Sequence, residues 1–306
     1  MTATAVESHT SAEEVARLSK PKESPKARVG RIASYVGMAL IVIYCILPFY
    51  WMVVSSLRLP TEGRSTEFIP NPVSVQNYAG VFAGNNNFGR ALLNSVIVAG
   101  STTILTLIIG MVASYALARL NFVGKGIVMG IIIACSMFPG VTLLIPLLKM
   151  FSSTAPFTWF PYWINTYQAL IVPSLSFALP LAVWNLTAFF RQLPVELEQA
   201  AMVDGCTPGQ AFRKVIIPLA APGVFTTAII TFIAAWNEFL IALTFAPDPS
   251  RQTATVAISK FTGTTGFDTP YGTIMAAGVI VTVPLLLAVL IFQRRIVAGL
   301  TAGGVK

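Results

Sequence analysis

Charge is what this sequence has least of. Asp, Glu, Lys and Arg make up 10% of its 306 residues, while 55% are hydrophobic; soluble domains carry about 25% charged residues. There is one histidine, His9, with no second imidazole, thiol or acidic cluster beside it, so no ligand set for a metal is in view. A lone imidazole also excludes a Ser/His/Asp or Cys/His nucleophilic set, and no two carboxylates share an apolar run for acid–base work. The phosphate-cradling pattern G-x-x-x-x-G-K-[ST] is missing. These absences exclude catalysis and leave any pumping to a separate subunit. Cysteine is scarce as well: Cys45, Cys135 and Cys206 fall on two apolar runs and a polar loop, which supports neither a disulfide framework nor a CxxC site.

What the chain has in abundance is hydrocarbon. Mean hydropathy is +0.73, and six apolar runs approach the roughly 20 residues that cross about 30 Å of bilayer: Ile32–Leu57, Ala91–Ala118, Gly126–Leu148, Ala169–Phe190, Pro222–Phe245 and Tyr271–Phe292. The fold expected is an all-α membrane protein of six transmembrane helices. The ten-residue alternation of a membrane barrel is absent. Residues 1–30 are charged and proline-bearing, poor in burial, and expected to be a disordered tail. No cleavage site follows the first apolar run, which is also too long for a signal peptide.

An even number of spans puts both termini on one side. That side collects 14 of the 20 Lys and Arg residues, which predicts cytoplasmic termini in a multi-pass protein of the cell membrane. The net charge of +8 thus reports topology and calls for no nucleic-acid partner.

One polar stretch interrupts the apolar chain, Leu193–Gly223. Asp204-Gly205 is a helix stop because Gly accepts the left-handed backbone of a closing turn, which predicts a short helix over Val195–Val203. Thr207-Pro208 reads as a cap and first turn of a second helix ending before Pro218. Too polar for lipid, this helix pair is expected to be a docking surface.

The opposite side is expected to carry the polar loop Arg58–Arg90, an aromatic segment Thr154–Tyr167 and a loop Pro247–Pro270 with the Gly/Thr-rich run Phe261, Thr262, Gly263, Thr264, Thr265, Gly266. Trp159, Phe160, Tyr162, Trp163 and Tyr167 suit the headgroup belt; a sugar-stacking platform is the alternative. Inside the runs, Gly126, Gly130 and Ala134 offer a face for close helix approach. Glu238, in Trp236-Asn237-Glu238-Phe239, is the one acidic residue within a span. An intramembrane carboxylate usually faces a water-filled path or a partner, so Trp236, Asn237 and Glu238 are candidate pathway residues, against a structural hydrogen bond as the alternative. Pro48, Pro139, Pro146, Pro180 and Pro284 interrupt other runs, as helices kinked around a cavity allow.

Gln199-Ala200-Ala201, Gly205 after three residues, then Val215, Ile217 and Pro218 after nine more resemble the EAA loop of ABC importer permeases, with Gln199, Val215 and Ile217 departing from its Glu, Ile and Leu. Asn94-Ser95, Ser114–Arg119, Ala235–Phe239 and the ending Gln293–Lys306 are similar to the MalG-type inner-membrane subunit of carbohydrate ABC importers, over roughly residues 30–306, and among these to the trehalose and maltose permeases of actinobacteria. The resemblance implies a type I importer permease: half of an alternating-access pathway for a sugar such as trehalose or maltose. The implied partners are a MalF-type second permease, two ATPase subunits binding ATP and Mg, and an extracytoplasmic sugar-binding lipoprotein; this chain would bind no cofactor itself. It makes Glu196, Glu198, Gln199, Ala200, Ala201, Asp204, Gly205 and Pro218 candidate ATPase-docking residues, with Glu196 on nearly the face of Gln199. It makes Phe261–Asp268 a candidate binding-protein contact, and the tail 299–306 an element reaching between the ATPase subunits. A secondary transporter would show internal repeats and several ionisable groups in its spans, and a membrane scaffold would need no docking loop.

Overall fold

The structure, a computed structural model, describes residues 25–63, 65–83, 87–261 and 270–302. Every regular element among them is helical: α1 Pro25–Ser56, α2 Gln76–Phe82, α3 Phe88–Arg119, α4 Lys125–Ser136, α5 Leu144–Phe151, α6 Tyr167–Gln192, α7 Glu196–Val203, α8 Pro208–Ala211, α9 Ile217–Leu219, α10 Ala221–Trp236, α11 Leu240–Phe245, α12 Ala254–Ser259 and α13 Tyr271–Ala302. Residues up to Met52 form one compact unit and Val53–Lys306 a second.

Four helices are long and apolar enough to cross a membrane, and six spans result if each of two bent pairs counts as one. The third run, expected as one helix over Gly126–Leu148, is bent by 87° between Lys125–Ser136 and Gly140–Phe151. Met137-Phe138-Pro139 is the break, since proline removes a donor and disfavours helix in the residue before it. The fifth run, expected over Pro222–Phe245, is helical only to Trp236 and resumes at Leu240.

In the second unit α3 and α6 are the central pair, and α10 packs on both. Three apolar clusters hold it. At the end carrying loop 193–223, Leu186, Phe190, Ile216 and Ala220 join. At the other end, Phe151, Leu170, Ile241, Phe245 and Val256 join. Beside them Val81, Phe88, Ala91, Ala257, Phe261 and Ala277 make a third. Gly223 permits the α6–α10 approach, because a Cβ there would stand 2.3 Å from the Phe189 ring.

Several expectations change. Residues 25–30, read as disordered tail, already belong to α1, and α13 runs through the Gly-rich tail to Ala302. Residues 1–24 and 303–306 lie outside the described residues. Gly126 and Gly130 meet nothing within 4 Å of where a Cβ would stand, so among the described residues no helix packs closely on these two glycines. The aromatic segment is divided: Trp159 and Tyr162 are exposed, whereas Phe160 and Trp163 pack on Phe151 with ring centroids at 5.8 and 5.4 Å.

Candidate functional site

Loop 193–223 is built by local capping. Cys206 N–H donates to the Ala201 carbonyl (3.0 Å) and Gly205 N–H to that of Met202 (3.1 Å), with Gly205 at φ +88°; this is the Schellman closure that Asp204-Gly205 implied. Thr207 then caps α8: its Oγ1 accepts from Gln210 N–H at 3.4 Å while Gln210 Oε1 accepts from Thr207 N–H at 2.9 Å, a reciprocal capping box. The second helix does not stop before Pro218. It widens into a π turn over Phe212–Ile216 and continues as α9. Pro218 offers no N–H, and its ring would press on the Lys214 carbonyl in an α turn, so the wider turn accommodates it. A 74° bend then carries the chain into α10.

The two faces of α7 differ. Glu196, Gln199, Ala200, Met202, Val203, Asp204 and Gly205 are exposed, as is Pro218, while Glu198 and Ala201 are buried. Glu198, grouped from the sequence with residues that meet a partner, turns into its own subunit. Its Oε1 accepts a hydrogen bond from the Tyr115 hydroxyl, and its Oε2 lies 3.4 Å from Arg119 Nε. Arg119 Nη2 also donates to the Leu193 carbonyl at 2.9 Å, and the Tyr115 ring lies 4.5 Å from that of Phe212. Both helices of the loop are thereby fastened to the end of α3. Helical geometry separates Glu198 from Gln199 by about 100°; that α3 occupies the Glu198 side is visible only in three dimensions.

Glu238 explains the break in the fifth run. Its two carboxylate oxygens accept from Ile241 N–H (2.9 Å) and Ala242 N–H (3.1 Å), serving the first turn of α11, whose cap residue Phe239 has no side-chain acceptor. The Glu238 carbonyl, which Ala242 would claim in an unbroken helix, accepts from Thr255 Oγ1 at 3.0 Å. Side chain and backbone have exchanged roles.

The same residue lines a cavity of about 150 Å³ between α6 and α10, with Ser174, Phe177, Asn185, Thr227 and Thr231 among its walls. Complete small-molecule pockets usually begin at about 300 Å³, about twice this volume. Of the three expected pathway residues, only Glu238 borders it. Trp236 is buried, its ring stacked on Phe232 at 5.5 Å, and Asn237 is exposed and donates back to the Ile233 carbonyl. The remaining wall residues escaped the sequence reading, although the signal was present. Ser174 and Asn185 on α6, Thr227 and Thr231 on α10, and Glu238 just past the end of α10 recur at helical spacing along otherwise apolar runs.

At the other end, Asn94 and Ser95 bind a loop. Asn94 Nδ2 donates to the carbonyls of Ser250 (3.0 Å) and Gln252 (2.9 Å), its Oδ1 accepts from Tyr167 at 2.8 Å, and Ser95 Oγ accepts from Ala254 N–H at 2.8 Å. Arg251 lies over the Tyr167 ring at 4.4 Å. In the same loop the Ser250 hydroxyl, then its amide, hold the Asp248 carboxyl below its ordinary range. Phe261, expected as a binding-protein contact, is a core residue, 7% exposed and edge-on to Phe88 at 5.6 Å. Thr262, Gly263, Thr264, Thr265 and Gly266 lie outside the described residues. Among the described residues no group of His, Cys, Asp or Glu could hold a metal.

Comparison with known proteins gives this geometry a context. The family model described as "Binding-protein-dependent transport system inner membrane component" matches residues 106–301. The chain is 45% identical over 267 residues to the trehalose transport system permease protein SugB of Mycobacterium tuberculosis (strain CDC 1551 / Oshkosh), covering 87% of this chain and 94% of that one. It is 38% identical to the trehalose/maltose transport system permease protein MalG of Thermococcus litoralis (90% and 97% covered). It is also 38% identical to the sulfoquinovosyl glycerol transport system permease protein SmoH of Agrobacterium fabrum (90% and 94%). Among solved structures, a bacterial ABC transporter that imports the acidic polysaccharide alginate contains a chain with the same fold, at TM-score 0.75 and 17% identity, covering 90% of this chain and 99% of that one.

Proposed function

The chain belongs to the binding-protein-dependent transport system inner membrane components, and from that membership we propose that it forms half of the translocation pathway of an ATP-driven importer for a neutral disaccharide such as trehalose or maltose. The observation that carries the mechanism is the two-faced helix α7. Its inner face is clamped to α3 through Glu198, while its outer face presents Glu196, Gln199, Ala200 and Val203. Val203 is 87% exposed on a helix too polar for lipid, and an apolar side chain rimmed by acidic and amide groups suits a protein partner.

In this reading the outer face seats in a cleft of an ATPase subunit, which binds ATP and Mg. Closure of the ATPase pair moves α7, the clamp carries the displacement into α3, and the cavity between α6 and α10 changes the side to which it opens. A MalF-type permease supplies the opposite wall, and an extracytoplasmic sugar-binding lipoprotein delivers the solute at the end lashed by Asn94. Both termini and loop 193–223 face the cytoplasm of a bacterial cell, with the tail after Ala298 reaching toward the ATPase pair.

Co-expression with the second permease, the ATPase and the binding protein tests the reading. ATP hydrolysis stimulated by sugar-loaded binding protein, together with ATP-driven uptake, is expected; neither would occur in a scaffold or an ion-coupled carrier. Glu196→Ala should reduce ATPase co-purification moderately and Gln199→Glu hardly at all. In a cysteine-free background, a Cys at position 209 should label only from the cytoplasmic side and one at position 264 only from outside. The reverse labelling pattern would overturn the orientation.

A further inference from the structure

We propose that the cavity between α6 and α10 is a binding subsite for one ring of a neutral sugar, so that this chain contacts the solute directly; the inference rests on the importer reading above. Three observations on the cavity carry it. Thr227 borders the cavity and is 2% exposed, and its buried hydroxyl has no hydrogen-bond partner among the described residues. Burying a hydroxyl unpaired is unfavourable, and a solute hydroxyl reaching into the cavity would relieve it. Second, each Glu238 oxygen accepts one backbone N–H, and a carboxylate oxygen has acceptor capacity for another donor. Third, Phe177 and Asn185 complete the wall with an aromatic ring and a primary amide.

Those groups match the chemistry of a sugar ring. Its axial C–H face is apolar and packs on an aromatic side chain; its rim of hydroxyls both donates and accepts. Because α6 and α10 run in opposite directions, Asn185 lies toward the Thr227 end and Ser174 toward the Glu238 end, which spaces the polar groups along the ring's rim. A volume of about 150 Å³ leaves the rest of a disaccharide to the facing subunit.

Charge sets the specificity. Glu238 is the single ionisable residue in the cavity wall, and no Lys or Arg accompanies it. A uronate or sulfonate would meet a carboxylate with no counter-charge, and like charges brought together reject a ligand strongly. The subsite therefore discriminates against acidic sugars after the binding protein has made its own selection.

Photo-crosslinking tests this in the purified complex of both permeases, the ATPase pair and the binding protein. The probe is trehalose carrying a diazirine, irradiated with the complex held in its ATP-bound state. Label is expected on peptides spanning 174–185 and 227–238, displaced by unlabelled trehalose but not by a uronic-acid disaccharide. Thr227→Val, which keeps side-chain shape, should lower labelling about fivefold, the loss of one neutral hydrogen bond, in a complex that still co-elutes. Label confined to the second permease, with ATP-driven trehalose uptake intact, would overturn the subsite and leave the importer standing. Equal displacement by the acidic disaccharide would overturn the charge selection. Absence of ATP-driven uptake of any sugar by the wild-type complex would instead overturn the importer reading.

Discussion

Arg119, the last residue of α3, and Glu198, in the first turn and a half of α7, form a buried ion pair with Nε and Oε2 3.4 Å apart and side chains only 8% and 11% exposed. Tyr115 and the Leu193 carbonyl complete the arrangement. Removing one partner of a buried pair leaves a stranded charge and costs about 3–5 kcal/mol. Glu198→Ala is accordingly expected to lower the melting temperature of the complex and to uncouple transport, so that ATP is hydrolysed with little sugar uptake. The paired replacement Arg119→Met with Glu198→Leu should restore much of the stability without restoring coupling. Equal uptake per ATP in wild type and Glu198→Ala would show that the clamp transmits nothing.

Gly205 needs its backbone, not its small size. Its φ is +88° and nothing lies within 4 Å of where a Cβ would stand. An L-residue in that region costs about 1–2 kcal/mol, and Asn tolerates it better than most. Gly205→Ala should loosen the α7 terminus and weaken ATPase retention, and Gly205→Asn should recover most of it. If Asn is as disruptive as Ala, the cause is contact with the partner, not backbone strain.

Gly223 is the opposite case, a glycine required for space. A Cβ would come within 2.3 Å of the Phe189 ring, and overpacking of this kind costs about 1–3 kcal/mol. Thermal unfolding of Gly223→Ala should show that loss, and Phe189→Leu in the same chain should reverse part of it. Independent, additive effects of the two substitutions would deny the contact.

Asn94→Leu removes two donors and an acceptor that hold the 247–254 loop. Each buried group left unpaired costs about 1–3 kcal/mol. Amide exchange at Ala254 and proteolysis within 247–254 should both accelerate, while ATPase retention at the far end is preserved. Unchanged exchange would mean that the loop holds without this amide.

Glu238 acts on α11 as well as on the cavity. Glu238→Gln keeps one carbonyl acceptor for Ile241 or Ala242, whereas Glu238→Leu leaves both N–H groups unserved. Exchange at Ile241 and Ala242 should rise slightly in the first variant and strongly in the second. Identical protection in all three proteins would remove the carboxylate from the helix cap.

What depends on neighbours along the chain was legible from the residues alone. Transfer of apolar residues into hydrocarbon is a local sum, so the apolar runs were legible as spans. Caps and stops are set within a few residues, so α7, its Gly205 closure and the Thr207 cap that starts α8 could be placed to within a residue or two, whereas the continuation through Pro218 could not. The spacing from Gln199 to Pro218 carried the family for the same reason. What depends on residues far apart in the chain required the folded molecule. A helix period relates Glu196, Glu198 and Gln199 to one another but does not say which face meets α3, and the arrival of Tyr115 and Arg119 turned Glu198 inward. Hydropathy saw an unbroken run through Trp236–Leu240 because breaking it required Thr255 to take the carbonyl that the carboxylate had displaced. Phe261 belonged by sequence to an exposed loop, yet Phe88 gives it an apolar partner, and burial of an aromatic ring outweighs the polarity of the residues around it. The cavity needed two helices brought side by side before Asn185 and Thr227 could share one wall.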